Sequence, residues 1–149
     1  MPHLVILYTA QLDHETDMRA LCRTLADTML QVKDEAAQQV FPTGGTRVLA
    51  YPAPHYAVAD GGAAGLAVEG ARRSSDYAFV YLNLRMGRGR TEATQQRAGQ
   101  ALIDATREHF ADVFEKRHIG ITLQIDVGAE VFDAKHSNLH PLFNKNIAS

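Results

Sequence analysis

Short runs of apolar residues with strand character take turns along the chain with longer stretches where apolar positions recur every three or four residues. Leu4 to Tyr8 is an unbroken run of Leu, Val, Ile and Tyr close to the amino terminus and reads as a buried strand. From about Asp13 to Asp34, Met18, Leu21, Cys22, Leu25 and Met29 fall on one face of a helix of 3.6-residue period. Phe41-Pro42-Thr43-Gly44-Gly45 carries turn residues that close this segment. Thr46 to Tyr51 reads as a second strand with Arg47 near its start. A long helix between two strands predicts that they lie parallel, joined by a right-handed crossover.

The pattern then repeats. Tyr77 to Met86 is a strong strand, and Thr91 to about Lys116 is helical, with Ile103, Thr106, Phe110 and Val113 on one face. Ile119 to Val127 alternates apolar residues with Gly120, Thr122, Gln124 and Asp126 in period two. Corresponding elements are offset by roughly 75 residues, so the chain reads as two βαβ units in tandem, without obvious sequence identity between them. The expected architecture is α+β: one four-stranded sheet with two helices on one face. The other sheet face would be left bare, which predicts an oligomer that covers it. Residues 1–149 are read as one domain, with pseudo-repeats at about 2–59 and 76–128. A Gly/Ala-rich connection at 60–75 reads as a flexible loop, and a weakly periodic tail occupies 132–149. Leu139, Leu142 and Phe143 are the tail's candidates for anchoring it on a neighbouring surface.

Composition narrows the function. The chain has 149 residues, 46% of them hydrophobic and 21% charged, which describes a folded soluble domain. A formal charge of −2 argues against a nucleic-acid binder, whose domains usually carry a basic excess. No apolar stretch approaches the roughly 20 residues of a membrane helix, and no secretory pattern opens the sequence, so a cytoplasmic protein is expected. The lone cysteine, Cys22, reads as a small buried hydrophobe within a helix.

Candidate chemistry gathers at few places. The dipeptide Met1-Pro2 raises the possibility of trimming after Met1, which would leave Pro2 as a free secondary amine. An α-amino group titrates near roughly 8, and burial or nearby arginines lower that value into the range useful to a general base. The alternative is a residue that simply fits the head of a strand. Gly87-Arg88-Gly89-Arg90-Thr91 joins a strand to a helix amino terminus, where anions are attracted and arginine adds a planar fork. A tight turn with solvated arginines fits the same residues, and no nucleotide motif is present. His136 and His140 are spaced i, i+4, yet Pro141 follows and no glutamate lies between them, so a metal site is not expected. Asp76 reads as a cap or turn residue, and His14, His109 and His118 as surface residues. No catalytic triad or Cys-His pair can be picked out.

With Pro2, Arg47 and Arg90 set on two βαβ units, the chain resembles the tautomerase superfamily, and within it the 5-carboxymethyl-2-hydroxymuconate isomerase family of homoprotocatechuate breakdown. The resemblance rests on Met1-Pro2-His3, Val40-Phe41-Pro42 through Gly45-Thr46-Arg47, Asp76 to Val80, and Gly87 to Thr91. It continues through Gln95 to Gly99 and ends at Asn138 to Phe143. It implies a homotrimer without cofactor, acting on a small carboxylate: Pro2 would be the amino-terminal base, and Arg47 and Arg90 the residues that bind substrate and stabilise charge. Other readings are a different superfamily activity on unsaturated acids and a non-catalytic trimeric protein of the same fold. Arg88, and Arg72 with Arg73 in the 61–75 stretch, depart from the expected pattern.

Overall fold

The structure is a computed structural model that describes residues 2–67, 74–128 and 130–143. Met1, Arg72 and Arg73 lie outside the described residues, as do the side chains of Ser74, Ser75 and His140. Strands β1 (His3–Thr9), β2 (Arg47–Ala53), β3 (Ser74–Gly87) and β4 (Arg117–Gly128) form one sheet in the order β2-β1-β3-β4. β1 and β2 are parallel, β3 and β4 are parallel, and the two pairs meet through the antiparallel contact of β1 with β3. The two βαβ units are therefore joined at the centre of the sheet. This places the starts of β1 and β2 and the ends of β3 and β4 at one edge.

The helix of the first unit, α1 (Met18–Gln31), buries Met18, Leu21, Leu25 and Met29, the face its periodicity predicts. It is shorter than the 13–34 span expected from the sequence. Ala10–His14 is a separate 3-10 turn, and the Asp17 carboxylate accepts from the Ala20 N–H to start the helix proper. A short helical turn, α2 (Ala63–Leu66), lies inside the Gly/Ala-rich connection expected to be a loop. Asp60 organises it by accepting from the N–H groups of Gly62 and Ala64 and from the Tyr77 hydroxyl.

The second long helix is interrupted. α3 (Glu92–His109) ends at Phe110, and a separate helix, α4 (Ala111–Lys116), leads directly into β4. Fully buried Phe110 anchors the break. The buried face of α3 is Thr94, Ala98, Leu102 and Thr106, so Leu102 takes the central place expected for Ile103, which is half-buried. Leu4, Ile6 and Tyr8 of β1 and Ala78, Val80, Leu82, Leu84 and Met86 of β3 point under these helices. Strand periodicity sends their neighbours to the opposite face. Leu7, Leu49, Tyr51 and Phe79 on that face are each 39–49% exposed.

Two sequence expectations are corrected in the polar network. Asp76 is neither a cap nor a turn residue: it lies in β3, where its Oδ1 accepts from Arg117 at 2.9 Å. Arg117 is 4% exposed and donates also to Glu15 Oε2 at 3.0 Å, an arrangement that compensates a buried guanidinium. His109 and His118 are half-buried, not surface residues. His109 shares a 2.8 Å hydrogen bond with Thr16 Oγ1 and meets the Phe110 ring edge to face, and the His118 ring meets that of Tyr77 edge to face. Cys22 is half-buried against the core, where burial raises its thiol pKa. Phe143 of the tail rests on Gly44 of its own chain, so close that a β-carbon there would stand 2.8 Å from the ring.

Candidate active site

Strand register builds a row of polar residues at the edge where β1 and β2 begin. His3 of β1 lies opposite Arg47 of β2 on one side and Arg85 of β3 on the other, and Arg85 lies opposite Asp126 of β4. Equivalent positions on neighbouring strands share a sheet face, so Arg47, His3, Arg85 and Asp126 run side by side across all four strands. Leu4 and Leu84, one step along, are buried under the helices. The row therefore belongs to the helix-free face.

These four residues line a cavity of about 890 Å³. Met86 and Gly128 at the strand ends line it too, and the segment after β4 completes the wall, including Glu130, Asp133, Lys135, His136 and Asn138. Lys135 is held by Asp133 at 2.6 Å, which raises its pKa and lowers that of Asp133. Burial lowers the His3 pKa below its ordinary value, and the positive charge of Arg47 lowers it further. The imidazole is thus neutral at pH 7, and the permanent positive charge of the row resides on its two arginines.

Pro2 is buried and sits one residue outside His3, at the head of β1. The same sheet edge carries the β3–α3 turn. Gly89 adopts a φ of 110°, open to glycine and strained for other residues, and thereby reverses the chain. Arg90 follows it, half-buried, and Arg88 beside it is exposed. The Arg90 guanidinium donates to Gly87 O at 3.2 Å and to Val40 O at 3.1 Å, and lies 5.4 Å from the centre of the Phe41 ring. Those bonds engage two of its five N–H donors. Thr91 caps α3 by accepting from Thr94 N–H at 3.1 Å and donates to Glu35, which lowers the carboxylate's pKa.

Of the three residues expected from the sequence, only Arg47 lines the cavity; Pro2 precedes the lining residue His3 without lining the cavity itself, and Arg90 shares the sheet edge without lining it. Arg85 and Asp126 escaped the sequence reading. The signal for Arg85 was present in strand parity, because Tyr81, Asn83 and Arg85 alternate with buried Leu82, Leu84 and Met86. Which strand would lie beside it was not readable from local pattern. Among the described residues no group of three or more His, Cys, Asp or Glu side chains is placed to hold a metal, and no helix is long and apolar enough to cross a membrane.

Comparison with known proteins finds relatives that match over nearly the whole chain. A family model described as 5-carboxymethyl-2-hydroxymuconate isomerase matches residues 2–143. The 5-carboxymethyl-2-hydroxymuconate Delta-isomerase of Escherichia coli is 27% identical over 143 residues, covering 96% of this chain and 99% of its own. A crystal structure of a 5-carboxymethyl-2-hydroxymuconate delta-isomerase superposes with a TM-score of 0.90 at 62% identity, over 97% of this chain and 93% of that one. A 5-carboxymethyl-2-hydroxymuconate isomerase from Deinococcus radiodurans R1 gives 0.76 at 31% identity, over 96% and 94%.

Proposed function

The chain belongs to the 5-carboxymethyl-2-hydroxymuconate isomerase family, and from that we propose that it isomerises a 2-hydroxymuconate-type unsaturated carboxylate with Pro2 as general base. The observation that supports this reading is that Pro2 directly precedes His3, which lines the cavity beside Arg47 of the neighbouring strand. Removal of Met1 converts the Pro2 nitrogen into a secondary amine. Nearby guanidinium charge disfavours its protonated form, so a fraction useful for catalysis is neutral at pH 7.

The chemistry follows from conjugation in the substrate. Neutral Pro2 takes the proton of the 2-hydroxyl group, and the oxygen's electron pair forms the C2 carbonyl as the two double bonds shift. Negative charge spreads through the dienolate to C5. Pro2 then returns the proton at C5, leaving the ketone conjugated with a C3–C4 double bond. Arg47 holds a substrate carboxylate and stabilises charge on the 2-oxygen. Arg90 has the same role in this proposal: fixed by Gly87 O and Val40 O, it keeps further N–H donors for an anion at the sheet edge.

The enzyme we propose is a cytoplasmic homotrimer. Support for association comes from the helix-free face, whose Leu7, Leu49, Tyr51 and Phe79 stand side by side in the open. Light scattering tests the trimer, and a monomer mass at working concentration would contradict it. The activity is tested by following the ultraviolet absorbance of 5-carboxymethyl-2-hydroxymuconate with purified protein. Catalysed conversion to the ketone supports the reading, and a rate equal to the buffer rate overturns it.

A further inference from the structure

Arg85 and Asp126 are register partners on the parallel strands β3 and β4, which places opposite charges on neighbouring strands of one sheet face. No ion pair forms between them. Asp126 Oδ2 instead accepts a 2.8 Å hydrogen bond from Asn83 Nδ2, one step along the same face of β3. Among the described residues Arg85 has neither an ion pair nor a side-chain hydrogen bond, although it is exposed and lines the same cavity as Arg47 and His3. The Asp126 carboxylate is thus bonded to Asn83 rather than to Arg85, and the Arg85 guanidinium faces open volume.

We propose that Arg85 is a substrate-binding residue that holds a second carboxylate of a polycarboxylate ligand, with Arg47 holding the first. The proposal deepens the isomerase reading and rests on it for the identity of the ligand. Arg47 and Arg85 sit on either side of His3, two strand spacings or about 9.5 Å apart along the sheet. Their side chains can lean toward each other across the neutral imidazole. A planar guanidinium at each end matches carboxylates in bidentate geometry, so the pair selects anions with separated carboxylates over monoacids. His3 spaces the two cations without adding a third charge, because burial and Arg47 keep it neutral.

Arg85 acts on binding, and its removal is expected to be read in KM. With 5-carboxymethyl-2-hydroxymuconate, Arg85→Ala raises KM about tenfold or more while kcat falls far less, and Arg85→Lys restores a substantial part of the loss. Arg23→Ala, which removes an exposed charge from α1 on the other side of the sheet, leaves KM unaltered. Calorimetry with propane-1,2,3-tricarboxylate, which cannot isomerise, separates binding from turnover: Arg85→Ala weakens this probe several-fold and glutarate shows the same loss, whereas butyrate does not. A KM and probe affinity within twofold of wild type for Arg85→Ala overturn the proposal, as does a loss confined to kcat. Wild-type protein that binds the probe through Arg85 yet turns nothing over overturns the isomerase reading alone.

Discussion

Arg47 stands directly across from His3 at the shared start of two parallel strands, and its charge helps hold the imidazole neutral. Burial is the larger cause. Arg47→Ala should therefore raise the His3 pKa only part of the way to its ordinary value of 6.5, as followed by the imidazole carbon-bound proton in NMR titration. A full return to 6.5 would mean that burial contributes nothing.

His109 is lowered by burial as well, against an opposing influence from Asp17. Both histidines bind protons more weakly in the folded chain than in the unfolded one. The unfolded state then holds more protons between the lowered folded pKa values and about 6.5, so stability rises with pH through that window. The contribution is complete above 6.5 and is lost as pH falls. Urea midpoints measured from pH 5 to 8 should climb toward 7 and then level off for this pair.

Arg117, at the opposite end of the sheet from the cavity, ties Glu15 and Asp76 to the start of β4. Arg117→Ala should destabilise the fold by about 3 kcal/mol, the low end for breaking a buried ion pair, because both carboxylates are partly exposed and can rehydrate. Denaturant unfolding measures this. At temperatures where the variant remains folded, its KM should match wild type, which distinguishes it from Arg85→Ala.

Two glycines have opposite expectations. A β-carbon at Gly99 in α3 would lie 3.1 Å from the flexible end of Ile125, a contact relieved by a small side-chain shift. Gly99→Ala should stabilise by about 0.5 kcal/mol, about half of the helix-propensity gain of about 1 kcal/mol surviving. Gly44→Ala meets the rigid Phe143 ring at 2.8 Å and should cost about 1 kcal/mol or displace the tail. Thermal melting compares the two, and tryptic cleavage after Lys135 reports tail release.

The order of elements and the helix-facing core were legible because each signal is local: period two in β4, three-and-four spacing in α1, and the Gly-rich turn before Arg90. Helix ends were less legible. The break at Phe110 arises because its ring fills the core where α3 must give way to β4, a demand set by tertiary packing. The candidate site was half legible. Pro2, Arg47 and Arg90 stood out through resemblance, whereas Arg85, Asp126 and the Asp76–Arg117 pair depend on which strands become neighbours. Residues 41 positions apart, such as Asp76 and Arg117, have no local signature of their contact.

The central claim is that the Pro2 amine is the base. The direct measurement is the initial rate of ketone formation from 5-carboxymethyl-2-hydroxymuconate by protein whose amino terminus has been verified by mass spectrometry as Pro2, beside Pro2→Ala and a form retaining Met1. Loss of a general base typically costs roughly a hundredfold or more. The account predicts that Pro2→Ala falls by about that factor and that the Met1-bearing form, whose Pro2 nitrogen is an amide, is inactive. Equal rates for all three would contradict it.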